Sequence, residues 1–591
     1  MRRFYWYILI VVIAFTTSQC ANSISSPQGG PKDVRPPEVI ETIPKNGSPN
    51  FKGNKFTVRF DEFVKLDNVE QSALISPPMK KAPDYRVKGK AVQVKFNEEL
   101  KPNTTYSVYF GDAIVDITEN NPISNYTYIF STGEYVDSLS LYGNVKNAFN
   151  LTPVEGAFVM LYKDNNDTIA FDSLPYKVVP YYLSKTNVEG KFQFTGLSND
   201  DFLLFSLLDQ NSNFIFDQPG EQIAFLDSLI HPSFISMPVK DSITADSIVN
   251  IEIESDSILI IKDSIAKSIE DKIIEKNSVD LFMFLSPDTI QRILKAEVLA
   301  KNNIRFSFSQ SAKNVNFEIL SYPLNDSLFI EEYSIDEDTL IWHLNNPPID
   351  SLELLLTQYN DTLGTIYLKL DPEKKSARLR KKDKEDEKKE FLSWTSNVTA
   401  NKLDINKHLE IIFSQPRVNF NDIDSSFLIA GTDTIWNPEF YFSDSLNMKI
   451  DFPFDLLEET KYQVYFPDSA FTSWNNIHTE AIDIKFSTLP LKDYGILTFN
   501  LQPNKKQNYI FQLMNDKEKE IKKVLFYNDT TITFEYLKPA NYLFKIIYDN
   551  NNNGVWNPGN YGLKIQPEEV IYYPKEVKVR ANWEIEEDWK Y

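Results

Sequence analysis

A chain of 591 residues with one cysteine, four histidines and only 18 glycines has few of the residue types on which thiol, metal or phosphate chemistry is usually built. The single thiol, Cys20, excludes disulfides and multi-cysteine metal sites, so stability has to come from packed cores. His231, His343, His408 and His478 are isolated, without the His-x-x-x-His or His-Glu pairing that zinc or acid–base chemistry uses, and no Gly-x-Ser-x-Gly elbow is present. Basic charge is in deficit: 61 Lys and Arg stand against 83 Asp and Glu, a formal net charge of −22. That balance argues against a nucleic-acid or anionic-membrane binding surface, since both need basic patches, and no nucleic-acid partner is expected. Long apolar runs are also scarce, and the clearest, Phe4 to Phe15, is too short for the roughly 20 residues of a membrane-spanning helix.

What that run does fit is an export signal. Arg2-Arg3 form a positive start, Phe4 to Phe15 an apolar stretch of signal length, and Thr16-Thr17-Ser18-Gln19 a small polar end. Cys20 follows directly, where it looks like the lipidated (palmitate-bearing) cysteine of a bacterial lipoprotein. The expectation is a signal peptide over 1–19 and a protein held on a membrane by lipid at Cys20. From Cys20 to about Pro37 the chain is polar, with Gly and Pro, and reads as a flexible tether.

Beyond the tether, 42% hydrophobic and 14% aromatic residues suffice for several cores, and the patterning is that of strands. Lys55 to Phe60, Ala91 to Phe96 and Tyr106 to Phe110 alternate apolar and polar residues between Pro, Gly and Asn turns. Two stretches interrupt this. Residues 237–280 are polar and rich in Asp and Ser, with Ile265, Ile269 and Ile273 at helical spacing, and read as a linker able to carry one amphipathic helix. Residues 373–390 are a charged linker.

Internal repeats set the architecture. Leu100-Lys101-Pro102-Asn103-Thr104-Thr105-Tyr106-Ser107-Val108-Tyr109-Phe110, closing at Phe130-Ser131-Thr132, is answered by Leu457-Glu458-Glu459-Thr460-Lys461-Tyr462-Gln463-Val464-Tyr465-Phe466, closing at Phe486-Ser487-Thr488. A weaker third copy opens at Asn303 to Gln310. A second kind of repeat pairs Phe202 to Leu208, leading into Asp209 to Glu221, with Tyr542 to Tyr548, leading into Asp549 to Asn560. The expected fold is all-β, with several β-sandwiches in series over 38–134, 138–236, 281–372, 391–489 and 490–591.

The first of these modules resembles the bacterial Ig-like domain found near the N-terminus of many Bacteroidota lipoproteins. The residues that carry this are Gly29-Gly30-Pro31-Lys32-Asp33, Phe60-Asp61-Glu62-Phe63-Val64, Ser76-Pro77-Pro78 and Asn103 through Asp116 to Gly133. The second, with Gly143-Asn144-Val145 and Thr186 to Phe194, looks like a transthyretin-like or carboxypeptidase-regulatory sandwich. The resemblance implies an outer-membrane lipoprotein on the periplasmic or cell-surface face, and it supplies no catalytic residues.

Four groups of residues are candidate sites. Asp209, Asn211, Asn213 and Asp217, and likewise Asp549, Asn551 and Asn553 before Gly554, place oxygens at alternate positions as a calcium loop does. Neither has the correctly placed final glutamate, and Asn-rich turns satisfy their own backbone in the same way without metal. Calcium at these loops is the one cofactor to consider. Asp112, Asp116 and Glu119 contain carboxylates for a glycosidase pair, yet exposed loop acids are far commoner. The C-terminal Trp583 and Trp589, in an acidic aromatic segment, could dock a protein by edge pairing. The function expected is that of a non-catalytic interaction or scaffold subunit of a cell-envelope assembly. A glycan-binding surface lipoprotein is the alternative, and a hydrolase within 281–372 is a remoter one.

Overall fold

The computed structural model describes residues 33–591 except 124–125, 164–169, 171–172, 235–277, 288–289, 301–302, 322–328, 346–349, 360, 371–390 and 422–423. Cys20, the Ile265 to Ile273 stripe and the charged run 373–390 lie outside the described residues. The chain divides into two compact units. One comprises the described parts of Met1–Asn144, Glu155–Ser206 and Ser228–Leu281; the other Val145–Val154, Leu207–Asp227 and Phe282–Tyr591. Among the described residues no helix is long and apolar enough to cross a membrane.

In the first unit, residues 39–131 form an antiparallel sandwich. One sheet runs Val39–Ile43, Lys55–Phe60, Ala91–Lys95, Asp84–Val87, and the other Leu74–Ser76, Thr105–Tyr109, Thr127–Ser131. The alternation read from sequence is the burial pattern observed: in Lys55–Phe60 every second residue, Phe56, Val58 and Phe60, is buried. Phe56 stacks on Tyr128 at 3.9 Å between ring centroids. Each such large side chain contributes about 1.5–3 kcal/mol on leaving water. The remainder of the unit holds the strands Lys191–Leu197, Leu139–Asn147 and Ser278–Met283 in one sheet, and Tyr182–Lys185, Phe158–Lys163 and Phe202–Leu208 in another. The Ser76 hydroxyl donates to the Leu183 carbonyl and accepts from the Leu183 amide, so the first sandwich is hydrogen-bonded to the second.

Ser278–Met283 corrects the expected boundary. It pairs with Leu139–Asn147 as a strand of the second module rather than ending a linker or opening a third module. The polar stretch before it is therefore an insertion within the second module.

In the second unit, residues 293–369 form a sandwich of four strands (Ile293–Ala300, Asn303–Phe308, Thr339–Leu344, Phe329–Tyr333) and three (Val315–Ile319, Ser351–Gln358, Asp361–Lys369) around the fully buried Trp342. Residues 394–487 repeat the first module. One sheet is Trp394–Ser396, Glu410–Phe413, Lys449–Asp451, Tyr441–Phe442, and the other Asp433–Trp436, Phe427–Ala430, Lys461–Phe466, Ile482–Ser487. The repeat extends to single atoms. The Tyr106 hydroxyl accepts from Lys101 N and the Tyr462 hydroxyl from Leu457 N. Thr104 N donates to the Thr132 hydroxyl as Thr460 N does to that of Thr488. Tyr106 stacks on Phe130 at 5.3 Å and Tyr462 on Phe486 at 5.0 Å. Such tyrosine corners tie the loop ahead of a strand to the strand itself. The C-terminal module pairs Glu584–Lys590 in parallel with Gly495–Gln502, opposite a sheet built on Tyr509–Asn515 and Ala540–Tyr548.

Candidate functional site

The two Asx loops are built alike. In the first, the Asp209 carboxylate accepts from the amides of Asn211, Ser212 and Phe214. Asn211 and Asn213 donate their side-chain amides to the two oxygens of Asp217 at 3.0 and 2.8 Å. These bonds, with one from Gln218, hold the Asp217 carboxyl below the usual range. In the second, Asp549 accepts from Asn553 N and Gly554 N, and Asn551 donates to Asn557. Gly554 has φ +72°, which the turn requires and which a side chain resists.

The missing final glutamate is present in space. Glu221, fully buried, accepts from the amides of Gln210, Asp217 and Gln218. Glu568, just ahead of the strand Val570–Tyr572, accepts from Asn550 N and Asn557 N in the second loop. Its carboxyl is raised, chiefly by burial, although those backbone bonds oppose the shift. Sequence spacing could not find Glu568, because the contact depends on where the loop returns. In both loops backbone N–H groups therefore occupy carboxylate oxygens a cation would use, and among the described residues no group of three or more His, Cys, Asp or Glu is placed to hold a metal ion.

Within the second unit these loops share one core. The buried Tyr561 lies 5.3 Å from Phe225 and 6.3 Å from Phe216. Its amide donates to the Ser286 hydroxyl, and Gln566 Nε2 donates to Phe225 O and Asp227 Oδ1. Gly559 has no room for a side chain, since a Cβ would meet the Phe284 ring at 2.6 Å. Phe149 packs on Trp556 at 4.9 Å and receives the Lys545 ammonium 3.3 Å from its ring centroid. Lys545 is 2% exposed, and burial pulls its pKa down to about 8. The C-terminal module is thus packed on residues 145–154, 207–227 and 282–287 of the second module.

The C-terminal tryptophans separate. Trp589 is 6% exposed and belongs to the core, 5.1 Å from Tyr573, so docking through its side chain is corrected by the structure. Alternation along Glu584–Lys590 turns it inward. Trp583 is 52% exposed under the guanidinium of Arg580. Glu584–Lys590 is an edge strand, with one side free in its sheet.

Of the acids singled out in the first module, Asp116 closes its own loop, accepting from the amides of Glu119, Asn120 and Asn121. Asp116 is buried; burial pushes its carboxyl up, but the amides of Glu119, Asn121, Asn120 and Thr118 outweigh this and hold it below the usual range. A general acid needs the opposite. Within 293–369, Glu331 accepts from Trp342 Nε1 and Glu332 pairs with His343. Glu297 and Glu337 are held low, chiefly by hydrogen bonds from Lys295 and Lys313. His231 pairs with Asp201 on the surface and His478 with Thr472.

Against known proteins, residues 33–132 match the bacterial Ig-like domain family. No curated protein sequence matches the chain. Among solved structures, that of the S-layer protein rSbsC(31-844) is 9% identical, covering 86% of this chain and 65% of its own, with a TM-score of 0.13. The SGBP-B of the Bacteroides ovatus mixed-linkage glucan utilization locus, in complex with a mixed-linkage heptasaccharide, is 10% identical over 75% of this chain and 94% of its own, TM-score 0.19. BcpA, the major pilin subunit of Bacillus cereus, is 9% identical over 76% and 99%, TM-score 0.13. At these TM-scores the likenesses carry no argument about function. The sandwich over residues 39–131, with its tyrosine corner at Tyr106, is a bacterial Ig-like domain.

Proposed function

We propose that this protein is a non-catalytic binding or scaffold subunit of the cell envelope, carried on the outer membrane by lipid at Cys20. The observation that carries the proposal is the use of its buried acids. Asp116, Glu221, Asp549 and Glu568, the buried carboxylates among the described residues, all accept backbone N–H bonds and so fix loops. Their oxygens are engaged in closing loops, and Asp116 is in addition held below the usual carboxylate range, the opposite of what a general acid needs. Free sheet edges, such as that of Glu584–Lys590, offer protein contacts instead.

Purification of the tagged full-length protein from native membranes tests this. A stoichiometric envelope partner is expected, together with membrane release of a Cys20→Ser variant. Recovery of the wild type alone would overturn the scaffold reading. A second reading, glycan binding, is favoured by the exposed Trp436 and its aromatic neighbours on the fourth module.

A further inference from the structure

The repeat allows one face to be compared in two settings. In the first module, the outer face of Leu74–Ser76, Thr105–Tyr109 and Thr127–Ser131 is covered by the second module: Ser76 bonds Leu183, and Gly196 lies against Ile129 and Thr105. Aligning Tyr106 with Tyr462 places Thr105, Ser107 and Ile129 at the positions of Lys461, Gln463 and Lys485. Small and apolar residues where the face is covered have become long, charged and polar ones. Lys461 and Lys485 are exposed. A face so altered is unsuited to dry packing against another sandwich, since lysines are depleted from interface cores.

The register orders what it presents. Trp436, Phe427, Tyr465 and Asp483 are successive cross-strand neighbours over four strands. Phe427 lies 5.7 Å from Trp436 and 5.1 Å from Tyr465, and Trp436 is 63% exposed. Two residues along, the row is Thr434, Ile429, Gln463, Lys485. Next, Lys461 stands opposite Ser487, whose hydroxyl accepts from Lys402 Nζ at 3.0 Å. Gln463 and Lys485 both engage Asp483, at 2.8 and 3.0 Å. An open depression of about 360 Å³ lies over these last rows, lined by Asn401, Ile429, Lys461, Gln463, Lys485 and Ser487 among others.

We propose that this face binds an acidic glycan, a deepening of the second reading above on which it rests. An aromatic surface suits the C–H face of a sugar ring, and amide and hydroxyl groups suit its hydroxyls. Two exposed lysines beside Ser487, Lys402 bonded to its hydroxyl and Lys461 opposite it, with Lys485 one row on and paired to Asp483, suit a carboxylate or sulfate on that sugar.

The test is a panel of immobilised polysaccharides, namely polygalacturonate, alginate and chondroitin sulfate beside fully methyl-esterified polygalacturonate and a neutral β-glucan, probed with the full-length mature chain, Trp436→Ala and Lys461→Glu/Lys485→Glu. All of these positions are exposed or half-buried, so the variants should fold; matching circular dichroism and melting profiles check it. The expected result is retention on at least one acidic polymer, weakened about tenfold or more by either variant, with the esterified polymer not retained. Equal retention on neutral polymers overturns the acidic preference and leaves glycan binding standing. Retention lost with the glutamates but kept in Trp436→Ala, or unaffected by both, overturns the site. No retention on any polymer overturns the proposal and the reading beneath it.

Discussion

Replacing Glu221 by glutamine is expected to loosen the first Asx loop without unfolding the rest of the chain. The carboxylate is fully buried, with Oε1 accepting from Gln210 N at 3.1 Å and Oε2 from Asp217 N at 2.9 Å and Gln218 N at 3.0 Å. Glutamine keeps one acceptor, which satisfies Asp217 and Gln218, and turns an NH₂ towards the Gln210 amide. One buried donor loses its partner, at about 1–3 kcal/mol, and the two remaining bonds lose their charge assistance. A loop-opening free energy lower by about 2–4 kcal/mol corresponds to exchange of these amides accelerated on the order of 10²-fold. Hydrogen exchange read on peptides spanning 207–222 measures this directly, which matters because a multi-module chain has no single unfolding transition. The same experiment with calcium and with chelator addresses the metal: the wild-type loop is closed by its own amides, so protection is expected to be equal in both. Unchanged protection in Glu221→Gln would refute the account of the loop, and wild-type protection lost on chelation would establish calcium as part of it.

Lys545 gives a second expectation. Its pKa is depressed to about 8 from the ordinary 10.5, so between those values the folded state binds fewer protons than the unfolded, and stability should rise with pH across that window. Lys545→Met should flatten that rise and stabilise the C-terminal module at pH 7 by about 1–2 kcal/mol, after allowance for the lost contact with Phe149, as read from hydrogen exchange of the module's core amides at pH 7 and within that window. For Asp116, whose carboxyl is depressed, protection of the Glu119, Asn120 and Asn121 amides should persist at neutral pH and fall away below about 4, where an ordinary aspartate protonates. Trp589→Ala should destabilise the C-terminal module by about 3–5 kcal/mol, whereas Trp583→Ala should change it by under about 0.5 kcal/mol, both read from hydrogen exchange of peptides within 495–590.

The all-β fold was legible because half-buried strands alternate, as Lys55–Phe60 and Asn303–Phe308 do, and because the repeats preserve even the tyrosine corner. What escaped the sequence was anything fixed by chain return. Ser278–Met283 is a strand of the module that the insertion interrupts, and nothing local marks its partner. Glu568 closes a loop whose first ligand-like residue is Asp549, and a linear spacing rule looks elsewhere. Trp589 read as a surface aromatic because the segment is acidic, yet period-two alternation buries it beside Tyr573. The row Trp436, Phe427, Tyr465, Asp483 is drawn from four strands and exists only once their register is known.

The central claim is that this chain acts by binding within the envelope. Cross-linking in intact cells before lysis, with the cross-linked peptides quantified by mass spectrometry, tests it most directly. The account predicts reproducible intermolecular links to one or a few envelope proteins, concentrated on free edges such as Glu584–Lys590. Links confined to the chain itself, at a yield that recovers its internal ones, would contradict it.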